Sequence, residues 1–104
     1  MDYKIKLTKP FKFEDETYTE IDLSALEDLN TNQLIEAEKR FIREGGTSVI
    51  KEFDVSYACI ICSIVTGKPV EFFRALPAKV GVELKNKVGS FFYGDTSISE
   101  QEKN

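Results

Sequence analysis

The sequence predicts an α+β fold that is mainly α, with an N-terminal bent β-hairpin packed on a bundle of about four helices. Three observations lead there. Residues 3–8 alternate Tyr3, Ile5 and Leu7 with Lys4, Lys6 and Thr8, the period of a strand with one face buried. Leu29 to Leu34 carry the chemistry of a helix start. Residues 55–65 are apolar on every side of a helix apart from Ser56 and Ser63, so that helix belongs in the middle.

Each element follows from its residues. Pro10 should break or bend the first strand, Phe11-Lys12-Phe13 resumes its alternation, and Glu14-Asp15-Glu16 can turn the chain into a second strand at Tyr18–Leu23. Two strands are marginal alone in water, so their apolar face must pack on the helices that follow. Asn30 is the expected N-cap of the first helix, with Gln33 as its capping-box partner and Leu29 stapled to Leu34. That helix should run to about Glu44, with Leu34, Ile35, Ala37, Phe41 and Ile42 on one stripe, Glu36 paired with Arg40, and Gly45-Gly46 as the stop. Residues 47–53 read as a loop anchored by Val49, Ile50 and Phe53. Asp54 then caps the apolar helix, which ends at Gly67. Pro69 and Pro77 each suit the first turn of a helix, giving a short one near 69–76 and a longer one near 77–93. In the latter Val80, Leu84, Val88, Phe91 and Phe92 follow the 3.6-residue stripe.

The domain expected is 1–94, with the hairpin at 3–23 and the helical part at 30–94. Residues 95–104 are polar apart from Ile98 and are expected to be disordered. One domain of 104 residues can bury roughly two thirds of its unfolded surface without staples.

Composition narrows the function more than any motif does. The chain has no histidine, and no nucleophile stands at recognisable spacing from a base, so the usual equipment for acid and base chemistry is missing. No enzyme activity and no cofactor are expected. A formal net charge of −4 without a Lys/Arg cluster argues against nucleic acid and anionic membranes as partners. No apolar run approaches the roughly 20 residues that span a bilayer. The charged start Met1-Asp2-Tyr3-Lys4-Ile5-Lys6 lacks a signal core, so the expected location is the cytoplasm. Cys59 and Cys62 form a Cys-x-x-Cys, but inside an apolar helix and without a second ligand pair they read as small core residues instead of a redox or zinc site.

Candidate contact residues stand out instead. Phe72, Phe73, Phe91, Phe92 and Tyr93 are neighbours on helices, so one of each adjacent pair is expected to face out and serve as an anchor, the alternative being that all are core. Gly81, Lys85 and Gly89 form a row beside the last helix's stripe. Each glycine costs about 1 kcal/mol against alanine, so another backbone should come close there, from a partner or from the protein's own core. Seven carboxylates from Glu14 to Asp28 have no basic residue among them. They lack the spacing of a calcium loop and read as a solvated face, so no metal is expected. Residues 68–87 carry Lys68, Arg74, Lys79, Lys85 and Lys87 against Glu71 and Glu83. Opposite blocks suggest that the hairpin of one copy faces the last helix of the next.

Taken in succession, Lys9-Pro10-Phe11-Lys12-Phe13, Tyr18-Thr19-Glu20-Ile21-Asp22-Leu23, Leu34-Ile35-Glu36-Ala37-Glu38, Tyr57-Ala58, Thr66-Gly67-Lys68-Pro69-Val70-Glu71-Phe72-Phe73, Leu76-Pro77-Ala78-Lys79 and Lys85-Asn86-Lys87-Val88 resemble the tail assembly chaperones of long-tailed bacteriophages and prophages. The match is to the type found in phages of Gram-positive hosts and covers nearly all of residues 3–94. The Glu14-Asp15-Glu16 turn, where glycine is more usual, and the very apolar Cys59–Val65 helix depart from it.

The resemblance implies a non-enzymatic protein that coats the helical tape measure protein, keeps it soluble during tail morphogenesis and is absent from the finished virion. It further implies self-association into rings, spirals or filaments, and a longer form made by ribosomal frameshifting that engages the tail tube protein. This chain looks like the short form. Two other readings are a small structural subunit of the tail, such as a connector or terminator, and a thiol oxidoreductase using Cys59 and Cys62.

Overall fold

A computed structural model of the protein describes residues 2–94, and the tail expected at 95–104 lies outside them. An N-terminal hairpin of β1 (Lys4–Phe13) and antiparallel β2 (Glu16–Asp22) is followed by four helices, an α+β arrangement dominated by α. Ile5 is buried, Tyr3 and Leu7 are half-buried, and Lys4, Lys6 and Thr8 face water, as the alternation requires.

Pro10 does not end the strand. β1 runs through it in an irregularity between the Lys6–Glu20 and Phe11–Tyr18 pairs, where four residues of β1 stand against Thr19 alone. Proline is tolerated at such a bulge because no ladder donor is needed from it. The bulge also solves a phase problem. On β2 the inward residues are Tyr18 and Ile21, which strict alternation would put on opposite faces, and the shift of register lets both meet the core. The Phe13–Glu16 pair closes a two-residue loop whose first residue, Glu14, has φ +57°, a left-handed backbone that favours glycine.

A 3-10 turn at Ser24–Asp28, unforeseen in the sequence, carries the chain from β2 and buries Leu26. Its start is held by the Asp22 carboxylate, which accepts a hydrogen bond from the Ser24 backbone N–H at 2.9 Å. α1 (Thr31–Arg43) begins with the expected capping box: Asn30 Oδ1 accepts from the Gln33 N–H at 2.9 Å and Gln33 Oε1 accepts from the Asn30 N–H at 3.0 Å. Its buried stripe is narrower than expected. Ala37 and Phe41 are buried and Leu34 half-buried, but Ile35 and Ile42 are exposed because the seam follows 34, 37 and 41 and passes them by. Arg40 pairs forward with Glu44 at 3.4 Å instead of back with Glu36.

A second 3-10 turn (Lys51–Phe53) lies within the segment read as a loop and leads into α2 (Val55–Thr66). Asp54 caps α2 by accepting from the Ser56 and Tyr57 backbone N–H groups, and Gly67 ends it in the left-handed region at φ +79°. Tyr57 to Cys62 are six consecutive buried residues, and α1, α3 (Val70–Arg74), α4 (Ala78–Tyr93) and both 3-10 turns contact this helix. Pro69 and Pro77 stand immediately before α3 and α4.

Glu14 gives the hairpin its weakest residue. Replacing Glu14 with Gly removes the left-handed penalty on a side chain and gives back part of it in chain entropy, for an expected net gain of about 0.5 kcal/mol. Urea midpoints of the two proteins read it; a lower midpoint for the glycine variant would mean that the Glu14 side chain stabilises the turn.

Candidate interaction surface

The aromatic pairs divide differently from the expectation. Phe72 and Phe73 are both buried, so neither faces out. On the five-residue α3, Phe73 is buried with its ring edge-on to Phe72 at 5.0 Å, and Phe72 is enclosed by the hairpin: Phe11, Phe13 and Tyr18 meet its ring edge-on, with centroids 5.6, 5.2 and 4.8 Å away. Lys68 Nζ lies 4.9 Å from the Tyr18 centroid and 5.4 Å from that of Phe72, a cation over aromatic faces. Phe91 and Phe92 are half-buried against the core and touch edge-on at 5.3 Å. Only Tyr93 of the five is exposed.

Tyr93 belongs to a surface the sequence only hinted at. Its ring stacks on Phe53 at 5.4 Å and 16°. Phe53 in turn lies against Gly89, where an added Cβ would come within 2.5 Å of the ring. The close approach inferred from the glycine row is therefore made at Gly89 by an aromatic ring of the protein's own 3-10 turn. At Gly81 nothing lies within 4 Å, and Lys85 between them is half-buried. Val82, Gly89 and Tyr93 share one side of α4 at offsets of seven and four residues, so Val82 continues the same outward face. The residues expected to anchor the 47–53 loop do so unequally: Phe53 is seated, whereas Ile50 is exposed and Val49 is 95% exposed.

Beneath the turn, Tyr57 is buried with a hydroxyl that has no hydrogen-bond partner among the described residues. Burial, and then the carboxylates of Glu38 and Glu52, push its pKa up to about 12. Lys51 Nζ is 5.9 Å from its ring centroid and bridges to Glu38 at 3.3 Å, tying the turn to α1. Burial likewise raises the Tyr93 hydroxyl, with Glu52 adding to the effect. Both cysteines are buried and unpaired, and burial raises both thiols, so the thiolate a redox pair needs is disfavoured.

Part of the basic excess in 68–87 is engaged within the chain. Arg74 donates to Glu44 at 2.5 Å and holds that carboxyl below its ordinary value, and Lys87 Nζ donates to the Asp2 carbonyl at 2.6 Å. Lys9 and Lys79 make no ion pair among the described residues, and both are exposed. No helix among them is long and apolar enough to cross a membrane. Comparison with protein-family models, curated proteins and solved structures gave no match.

Two outcomes follow from the buried groups. Both thiols should react slowly with a thiol reagent in the native protein and fast in denaturant, as absorbance during labelling would report; fast native reaction at either would contradict their burial. Tyr57→Phe removes an orphan hydroxyl and should raise stability by about 1 kcal/mol at neutral pH. Because the folded pKa lies above the ordinary tyrosine value of 10.0, the wild type keeps its full stability below that value. It loses roughly 2–3 kcal/mol as pH rises through the folded one. Urea unfolding between pH 10 and 12 should show this loss in the wild type and a smaller one in the variant; parallel curves would place the Tyr57 ring in contact with water.

Proposed function

We propose that this protein is a tail assembly chaperone of a long-tailed phage or prophage, acting in the host cytoplasm to hold the tape measure protein soluble and leaving before the virion is complete. In this reading it is not an enzyme and takes no cofactor. Several copies associate as rings, spirals or filaments around the helical client, and a longer frameshifted form carries the contact to the tail tube protein.

The observation that carries the proposal is the exposed apolar side of α4 with its 3-10 turn, where Val82, Phe53 and Tyr93 face water at 47%, 43% and 52% exposure on an acidic protein. Such anchors are what a surface needs to cover apolar stretches of a helix. Many weak copies then hold the client through avidity. The resemblance carried by the succession of sequence blocks is what supports the tape measure protein as that client.

Co-expression with the tape measure protein of the same genome tests it. The client should be recovered in soluble form only when this chain is present. Val82→Asp combined with Tyr93→Asp should cut that recovery roughly tenfold, the equivalent of about 1.4 kcal/mol of binding. A client that stays insoluble with both chains present would sink the proposal, as would finding this protein in purified virions.

A further inference from the structure

The sheet described has two strands, so β1 has an open edge on the side away from β2. In an edge strand every second residue turns its N–H and C=O away from the neighbouring strand. The bulge adds to this surplus. Residues 7–10 stand against Thr19 alone, and one residue offers a single donor and a single acceptor. Outside the ladder, no backbone–backbone hydrogen bond among the described residues involves 7–10. Leu7, Thr8 and Lys9 therefore keep backbone groups for pairing with another chain, and only Pro10 has no N–H to give.

An apolar groove lies beside this edge. It measures about 370 Å³ between the bulged part of β1 and the start of α4, with Leu7, Phe11, Pro77, Ala78 and Val80 in its walls. Lys9 and Lys79 stand at the same groove. Both are exposed, as are Lys6 and Lys12 of β1, and none of the four makes an ion pair among the described residues. The other edge of β1 shows what such a strand pairs with. There Lys4, Ile5 and Lys6 stand opposite Asp22, Ile21 and Glu20, lysines against carboxylates and isoleucine against isoleucine.

We infer that the β1 edge at residues 7–11 and the groove beside it form a docking site for an extended segment of another protein in which acidic residues alternate with aliphatic ones. The segment adds to β1 as a further strand. Its aliphatic side chains enter the groove, and the carboxylates between them, which a strand turns to its other face, meet the unpaired lysines. A basic segment would set like charges against four lysines. A helix would bring no free backbone groups to the edge, because its own are paired internally. The site is separate from the surface assigned to the client. Val80 in the groove wall and Val82 on the exposed apolar side are two residues apart, about 200° around α4. So short a contact is weak, with a Kd on the order of 0.1–1 mM for one strand. This inference does not rest on the chaperone reading.

Fluorescence anisotropy of a labelled peptide, titrated with the full chain up to about 1 mM, tests it. The probe is a blocked octapeptide of alternating Glu and Val. Its controls are a block isomer, all Glu and then all Val, and an alternating Lys-Val peptide. The alternating Glu-Val peptide should bind about tenfold more tightly than either control. Lys9→Glu combined with Lys79→Glu should weaken it about tenfold, and Ala78→Gln, which puts a longer uncharged side chain into the groove, about fivefold. All three positions are exposed, and unchanged thermal melts would confirm that the variants fold. Amide hydrogen exchange within residues 7–9 should slow when the peptide is bound. Absence of binding overturns the inference, as does equal binding of the block isomer or of the Lys-Val peptide. So does wild-type affinity in either groove variant, or unchanged exchange at 7–9. Val82→Asp combined with Tyr93→Asp should bind the peptide as the wild type does; a loss there would put the peptide on the client surface and overturn the site. The assay contains no tape measure protein, so its failure leaves the chaperone proposal standing.

Discussion

Removing α2 from water is the constraint on which the structure depends. A helix whose residues 57–62 are all buried cannot sit at a surface, and it needs neighbours on every side. They are α1, α3 and α4, the two 3-10 turns and, through Ile5, Ile21 and Leu23, the hairpin. Its polar groups are confined to the ends and are used there. Asp54 satisfies the first N–H groups, Ser63 Oγ donates to the Lys68 carbonyl, and Thr66 Oγ1 donates to the Cys62 carbonyl. Between those ends the Tyr57 hydroxyl is the exception, and it is the one buried side-chain oxygen without a partner among the described residues.

The hairpin depends on one side chain in a comparable way. Two strands have no stability of their own, and the half that lies beyond the bulge is fastened by Phe72, whose ring is met by Phe11, Phe13 and Tyr18. Lys68 covers two of those rings, Tyr18 and Phe72, with a charge. A five-residue helix between two prolines thus carries two adjacent phenylalanines that are both buried, one of them the anchor of the hairpin.

That double burial marks the limit of what the sequence made legible. Local chemistry was readable wherever one interaction decides the outcome. The Asn30–Gln33 capping box, the Asp54 cap, the Gly67 stop and the β1 alternation each depend on residues within a few positions of one another. What could not be read depends on a second element. The adjacency of Phe72 and Phe73 argued that one must face out, but a helix wedged between a sheet and a bundle has two inner faces. Ile35 and Ile42 match the helical period, yet the seam of α1 is set by where α2 lies, and it passes them by. The register break in β1 was visible only as Pro10, because the phase difference between Tyr18 and Ile21 becomes a constraint only once both must reach the same core.

The glycines of α4 show how a surface is shaped from within. A glycine in a helix costs about 1 kcal/mol, so each needs a reason. At Gly89 the reason is Phe53: any side chain would displace its ring, and with it the Tyr93 stack and the support of the Val49-Ile50 loop. The residue therefore stabilises nothing by itself but fixes the position of the whole apolar edge. Gly81 has no such internal neighbour. Of the two positions where a close approach was inferred from sequence, one is occupied by the protein's own ring. The other is left open on a half-buried stretch of α4, one residue from the exposed Val82, and a side chain there would stand between that helix and anything that packs on it.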